Sequence, residues 1–154
     1  MSVAIRRLEA DTPAAELAAR WRYDAFFAGG GDTLENSRAA LFDFLRAQDG
    51  YEIGLLAECD GKPAGLCLFV RAEIDAKHDL TPWLAALFVA PEFRRRGIGE
   101  ALVRAIEDHA RQVGTTTLHL YTLEAEAFYA RLGWQTRECF IWHGEEMVLM
   151  VRDL

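Results

Sequence analysis

Basic residues are in short supply: 17 lysines and arginines stand against 24 acids, for a formal charge of −7. That deficit weighs against nucleic acid and against an anionic membrane as partners. Cysteine is scarce too. Cys59, Cys67 and Cys139 show no C-x-x-C spacing and cannot all pair. The expectation is three reduced core thiols and no zinc site, which would need four clustered ligands. The longest apolar run, Pro82 to Pro91, is about half of the roughly 20 residues a membrane span requires. The opening residues Met1 to Arg7 lack the apolar stretch of a signal peptide, so a cytoplasmic location is expected. No internal repeat, low-complexity tract or linker interrupts the chain. One continuous domain over residues 1–154 is therefore expected.

What is present is an ordered alternation of strand and helix patterns. Val3 to Leu8 has the alternation of a short strand. Thr12-Pro13 has the form of an N-cap followed by proline at the first helical position, and Leu17, Trp21, Ala25 and Ala28 give the helix an apolar stripe. Gly29-Gly30-Gly31 ends it, and Asp32-Thr33 can cap a second helix carrying Leu34, Leu41 and Leu45. Asp60-Gly61 predicts a tight hairpin between Tyr51–Cys59 and Lys62–Glu73. Residues 74–81 read as a polar loop. Pro82 to Val89 reads as a strand covered on both faces. Ile98, Leu102, Ala105, Ile106, His109 and Val113 mark the cleanest amphipathic helix, with His109 on its apolar stripe as a structural residue. A strand over Thr115–Tyr121, a short helix over Glu124–Leu132 and two strands around His143-Gly144 follow. The order β-α-α-β-β-β-α-β-α-β-β predicts an α/β fold, a mixed sheet with helices on both faces.

The segment with chemistry in it is Arg94-Arg95-Arg96-Gly97-Ile98-Gly99, between a buried strand and the amphipathic helix. A loop that ends a strand and opens a helix can aim several N–H groups at one anion, helped by the partial positive charge of the helix N-terminus. Gly97 and Gly99 remove Cβ atoms that would hold a ligand away, and the arginines supply full charges. These features predict a pyrophosphate cradle. No G-x-x-x-x-G-K-[ST] occurs, and a dinucleotide fingerprint would need a third glycine where Leu102 stands.

Together with Leu87-Phe88-Val89-Ala90-Pro91 ahead of it and Ala127-Phe128-Tyr129-Ala130-Arg131-Leu132-Gly133-Trp134 behind it, this loop resembles the signature of the GNAT superfamily of acyl-CoA-dependent N-acyltransferases. The match is close over residues 82–151. The resemblance implies a GNAT-like, mostly antiparallel central sheet and an acetyl-CoA site. Leu87, Phe88 and Val89 would pair with the pantetheine arm. Arg94, Arg95, Arg96, Gly97, Ile98, Gly99 and Glu100 would hold the pyrophosphate. The strands at Pro82–Val89 and Thr115–Tyr121 would splay to admit the arm. Where relatives often carry asparagine seven residues before the tyrosine, this chain has Thr122.

The activity implied is transfer of an acetyl group from acetyl-CoA to a primary amine by direct attack, without a metal. Such transfer needs a neutral amine, a stabilised oxyanion and an acid for the thiolate. Tyr129 matches the family's general acid, and the N–H of Phe88 or Val89 would serve the oxyanion. His119 resembles a strand histidine acting as base in some family N-terminal acetyltransferases, and an imidazole suits taking a proton near neutrality. Glu73, His78 and Asp79 are alternative bases, directly or through water. Trp21, Phe26 and Phe27 are candidates for an apolar acceptor pocket, and Glu124 and Glu126 for meeting a cationic substrate. The acceptor class stays open between small-molecule and peptide amines, and the oligomeric state stays open, a homodimer among the options. The competing reading is a non-catalytic acyl-CoA-binding sensor on the same fold. Residues 94–113 carry +2 and the remainder −9, which places the anion cradle within an acidic surface suited to attracting a cationic amine.

Overall fold

A computed structural model of the chain describes every residue except Gln48, Asp75, Ala76 and His78. Seven strands form one sheet: β1 (Val3–Arg7), β2 (Ile53–Cys59), β3 (Lys62–Val70), β4 (Trp83–Val89), β5 (Thr117–Thr122), β6 (Gln135–Trp142) and β7 (Glu145–Asp153). Their spatial order is β1-β2-β3-β4-β5-β7-β6. Every pairing is antiparallel except β4 with β5, which is parallel. The expected element order and mixed sheet are both found.

Helices α1 (Pro13–Arg22) and α2 (Leu34–Arg46) cover one face; α3 (Ile98–Gln112) and α4 (Glu126–Arg131) cover the other. Two apolar layers result. Ile98, Leu102, Ile106, Leu118, Leu120 and Met150 belong to the α3 layer. Leu41, Phe42, Leu56, Leu66 and Trp83 belong to the α1/α2 layer. Among the described residues no helix is long and apolar enough to cross a membrane.

The expected caps form. Thr12 Oγ1 accepts from Ala15 N at 3.1 Å with Pro13 behind it, and Thr33 Oγ1 accepts from Asn36 N at 3.0 Å. The buried face of α1 differs from the expected stripe. Ala14, Ala15, Ala18 and Ala19 are buried, while Leu17 is 38% exposed. Small side chains let this helix lie close to the sheet, so alanine rather than leucine marks the inward face. The next turn, Tyr23–Phe27, is wound as a π-helix and closes with Ala28 N–H donating to Tyr23 O at 2.8 Å. Such turns shift the helical register; here Arg22 ends up with its guanidinium 4.7 Å from the Phe27 ring centre.

Cys59 and Cys67 are buried thiols as expected, but Cys139 is exposed. It sits on β6, the outermost strand, whose residues mostly face solvent. The structural reading of His109 holds: its Nε2 lies 2.7 Å from Tyr51 O and its ring packs edge-on against Phe69.

Candidate functional site

β4 and β5 share a single register pair, Trp83 with His119, and then part. The cause lies in β4. Leu68 faces Ala85 and Leu66 faces Phe88, so β4 carries an extra residue opposite Cys67. Ala86 takes the left-handed φ of 55° to accommodate it. A bulge of this kind bends its strand and breaks the ladder. Downstream of it, residues 86–89 are only partly buried, whereas residues 83–85 are fully so.

Past the bulge, Ala90 N–H donates to Ala64 O at 2.8 Å. Phe88 O lies where a Cβ on Gly65 would meet it at 2.5 Å. Strand alternation therefore turns the backbone of Leu87 and Val89 toward the gap and that of Phe88 toward β3. The Phe88 ring instead packs 5.6 Å from Trp21. Of the two oxyanion donors expected, Phe88 lies on the β3 side and Val89 on the side of the gap.

At the end of β4 a 3₁₀ turn, Pro91–Phe93, leads into the arginine loop. Arg95 and Gly97 both have positive φ, 63° and 80°. Alternation of this kind folds successive N–H groups into a concave nest suited to anions. No side chain caps α3, and among the described residues the N–H groups of residues 95–100 have no protein partner. A Cβ on Gly97 would point into open space, but the backbone conformation strongly favours glycine. Gly99 sits where a Cβ would lie 3.4 Å from the Phe128 ring. Arg94 turns back to donate from Nε to Val89 O at 2.9 Å, while Arg95 and Arg96 stay exposed.

Tyr129, on α4, is 7% exposed and sits between Phe128 and Trp134, with ring centres 5.1 and 6.0 Å away. Its hydroxyl has no hydrogen-bond partner among the described residues. Burial, with the Cys67 thiol nearby, pushes its pKa well above the usual phenol range and keeps the proton on oxygen. Two devices hold α4. Thr122 Oγ1 accepts from Ala125 N at 3.0 Å, so the threonine at the family's asparagine position caps this turn. The buried carboxylate of Glu107 accepts from Trp134 Nε1 at 3.0 Å and from Arg104 at 2.9 Å, and Arg104 also reaches Leu132 O at 3.0 Å.

His119 is placed elsewhere. It lies at the closed end of the gap, with Nδ1 3.0 Å from Pro82 O. A carbonyl can only accept, so this contact makes Nδ1 the donor, and Nε2 has no hydrogen-bond partner among the described residues. The ring borders a cleft of about 340 Å³ on the α1/α2 face, with Leu80, Arg137, Leu149 and Val151. Tyr129 packs in the opposite layer. Asp79 lines the same cleft as His119, and His78 lies outside the described residues.

Glu73 is half-buried on the α1/α2 face. Burial pushes its carboxyl up to about 7, against the opposing pull of the Arg22 guanidinium. Its charge is also felt by Tyr121, whose phenol is pushed up to about 12, and by the Cys67 thiol. Of the expected apolar acceptor residues, Trp21 and Phe27 are partly buried and Phe26 is 50% exposed. Glu124 and Glu126 are exposed, and Glu126 accepts from Thr136 Oγ1 at 2.5 Å. Arg22, Tyr121 and the bulge at Ala86 had no mark in the sequence pattern. Their roles arise from elements far apart in the chain.

The family model described as Acetyltransferase (GNAT) family matches residues 15–134. The uncharacterized N-acetyltransferase YjhQ of Escherichia coli is 35% identical over 85 residues, 54% of this chain and 46% of that protein. This chain spans about half the length of the curated relatives it matches. Among solved structures, the putative acetyltransferase yncA of Salmonella typhimurium, determined with its cofactor acetyl-CoA, is 18% identical with a TM-score of 0.76. The match covers 99% of this chain and 94% of that one. A putative GNAT-family acetyltransferase of Desulfovibrio desulfuricans is 20% identical with a TM-score of 0.75, covering 99% of both chains. At these identities the likeness carries the fold.

Proposed function

The chain belongs to the acetyltransferase (GNAT) family, and from that premise we propose that it transfers the acetyl group of acetyl-CoA to a primary amine by direct attack. One observation carries the proposal: a gap opened by a bulge between two parallel strands, with a nest of N–H groups at one end and a protonated phenol beside it, neither having a hydrogen-bond partner among the described residues.

The donor set fits the coenzyme. The N–H groups of residues 95–100 and the positive end of α3 suit a pyrophosphate, with Arg95 and Arg96 adding charge. The backbone of Leu87 and Val89 is oriented to pair with an extended amide-bearing arm, as an added strand would. When bound, acetyl-CoA supplies an activated acyl carbon and a thiolate leaving group. Val89 N–H is the donor for the oxygen that gains charge on attack. Tyr129 gives its phenolic proton to the departing sulfur; its upward-shifted pKa keeps that proton available at neutral pH. His119 would reach the amine only from the closed end of the gap, through Nε2 and water.

The test is release of free thiol from acetyl-CoA across a panel of amino acids, peptides, polyamines and aminoglycosides. Amine-dependent release is expected. Coenzyme binding by calorimetry without release for any amine would replace transfer by the sensor reading.

A further inference from the structure

The C-terminal end of α4 is tied down from within and from outside. Within it, Trp134 N–H donates to Tyr129 O and Gly133 N–H to Ala130 O, both at 3.1 Å. That pair of bonds across a left-handed glycine is the Schellman arrangement, which brings together the side chains at the positions of Tyr129 and Trp134. Their ring centres are 6.0 Å apart. From outside, each of the closing residues 132–134 is held by a side chain of another element. Arg104 of α3 donates to Leu132 O, and Arg152 of β7 donates to Gly133 O, both at 3.0 Å. Trp134 Nε1 donates to the Glu107 carboxylate of α3 at 3.0 Å. Gly133 is required twice, by its φ of 98° and because the Arg152 guanidinium occupies the place of a Cβ.

Stability alone accounts poorly for this cluster. Glu107 is 1% exposed, and a buried ion pair is often no better for stability than apolar side chains of similar volume. Arg152 Nε stops 3.8 Å from Glu107 and is the one buried side-chain N or O without a hydrogen-bond partner among the described residues. A guanidinium placed for the ion pair would close that distance. This one is placed for Gly133 O and leaves an N–H unsatisfied. Arg104 likewise shares Nη1 between Glu107 and Leu132 O. Tyr129 is the group that needs such support. Its hydroxyl has no hydrogen-bond partner among the described residues, so the ring is fixed by its neighbours and by the turn that carries it.

Resting on the acetyltransferase reading, we infer that Glu107 and Trp134 are positioning residues for Tyr129. The carboxylate anchors the indole, and the indole sets the phenol against the coenzyme sulfur. Arg104 and Arg152 fix the backbone of the same turn. None of these four side chains belongs to the nest of residues 95–100, so their loss reaches the acid and spares coenzyme binding.

Variants of the clamp test this. Trp134→Phe keeps a ring and removes the donor, Glu107→Leu removes the acceptor, and Glu107→Gln keeps an oxygen for the indole. Trp134→Phe and Glu107→Leu should each lower kcat about tenfold, as a misplacement below about 1 Å implies, with coenzyme A affinity unchanged in calorimetry. Glu107→Gln should stay within about threefold of wild type. In a Tyr129→Phe background neither loss should appear, because the group being positioned is gone. Isotope-labelled carbon at the tyrosine Cζ, followed by NMR, gives a readout that needs no turnover. The Tyr129 signal, assigned by its absence in Tyr129→Phe, should move in Glu107→Leu, although that carboxylate bonds to Trp134 and Arg104. Arg152→Ala, which frees Gly133 O, takes its place should Glu107→Leu not fold. Unchanged kcat in Trp134→Phe, losses that multiply undiminished in the Tyr129→Phe background, or an unmoved Tyr129 signal would each overturn the inference. No thiol release from wild type with any amine would remove transfer instead, and the signal would then decide the positioning by itself.

Discussion

The loop ahead of α3 offers backbone N–H groups, whereas the α1/α2 face offers side chains. Residues 95–100 form their nest from consecutive N–H groups fixed by two positive φ angles and a helix start. On the other face, Arg22, Glu73, Tyr121 and Trp142 come from separate elements, more than 100 residues apart at the extremes. A backbone site depends on conformation and tolerates changed side chains. A side-chain site depends on each group and on the packing beneath it. The first suits a coenzyme that does not vary; the second suits an acceptor that can be changed without rebuilding the fold.

This contrast can be broken in graded ways. Tyr129→Phe should lower kcat by about 10²-fold or more while leaving coenzyme A affinity unchanged, measured by stopped-flow under conditions where chemistry limits the rate. Gly97→Val should cut coenzyme affinity about tenfold in calorimetry, because the left-handed φ of 80° costs a β-branched residue about 1–2 kcal/mol and deforms the nest. Arg95→Ala should cost only about twofold in coenzyme affinity, and less in high salt, since its exposed side chain adds charge to a site the backbone already forms.

Glu73 allows a check that needs no turnover. Its folded-state pKa of about 7 lies above the ordinary 4.5, so the protonated form favours the fold. That contribution is present at low pH and is lost as pH rises through about 7. Glu73→Gln stays neutral throughout. Its Tm should therefore gain on wild type as pH rises from about 4.5 past 7, in differential scanning fluorimetry. A constant difference would mean that Glu73 is not buried as described.

The same contrast separates what was legible in the sequence from what was not. The cradle could be read because R-x-x-G-x-G encodes its geometry locally, between an apolar strand and the stripe of α3. Tyr129 could be read from its neighbours Phe128, Gly133 and Trp134. The β4–β5 gap was implied by resemblance, but its cause was not visible: Ala86 is a small residue in an apolar run, with nothing to announce a left-handed φ. On α1, the leucine of the expected stripe gave way to alanines, because close approach to the sheet outweighs side-chain hydrophobicity there, while Trp21 still packs against the core. His119 drew attention as a lone strand histidine, yet strand pairing set it at the closed end of the gap. Glu73 was one acid among several in a polar loop. Its burial, against the exposure of Asp79, distinguishes the two.

The most direct measurement follows the acetyl group itself. Acetyl-CoA carrying a labelled acetyl carbon is incubated with the protein and an excess of each amine of the panel, and the label is traced by mass spectrometry alongside thiol release. The account predicts one labelled N-acetyl amine for each thiol freed, with both falling together in Tyr129→Phe. Thiol release with the label recovered as free acetate, or bound acetyl-CoA that stays intact with every amine, would contradict it.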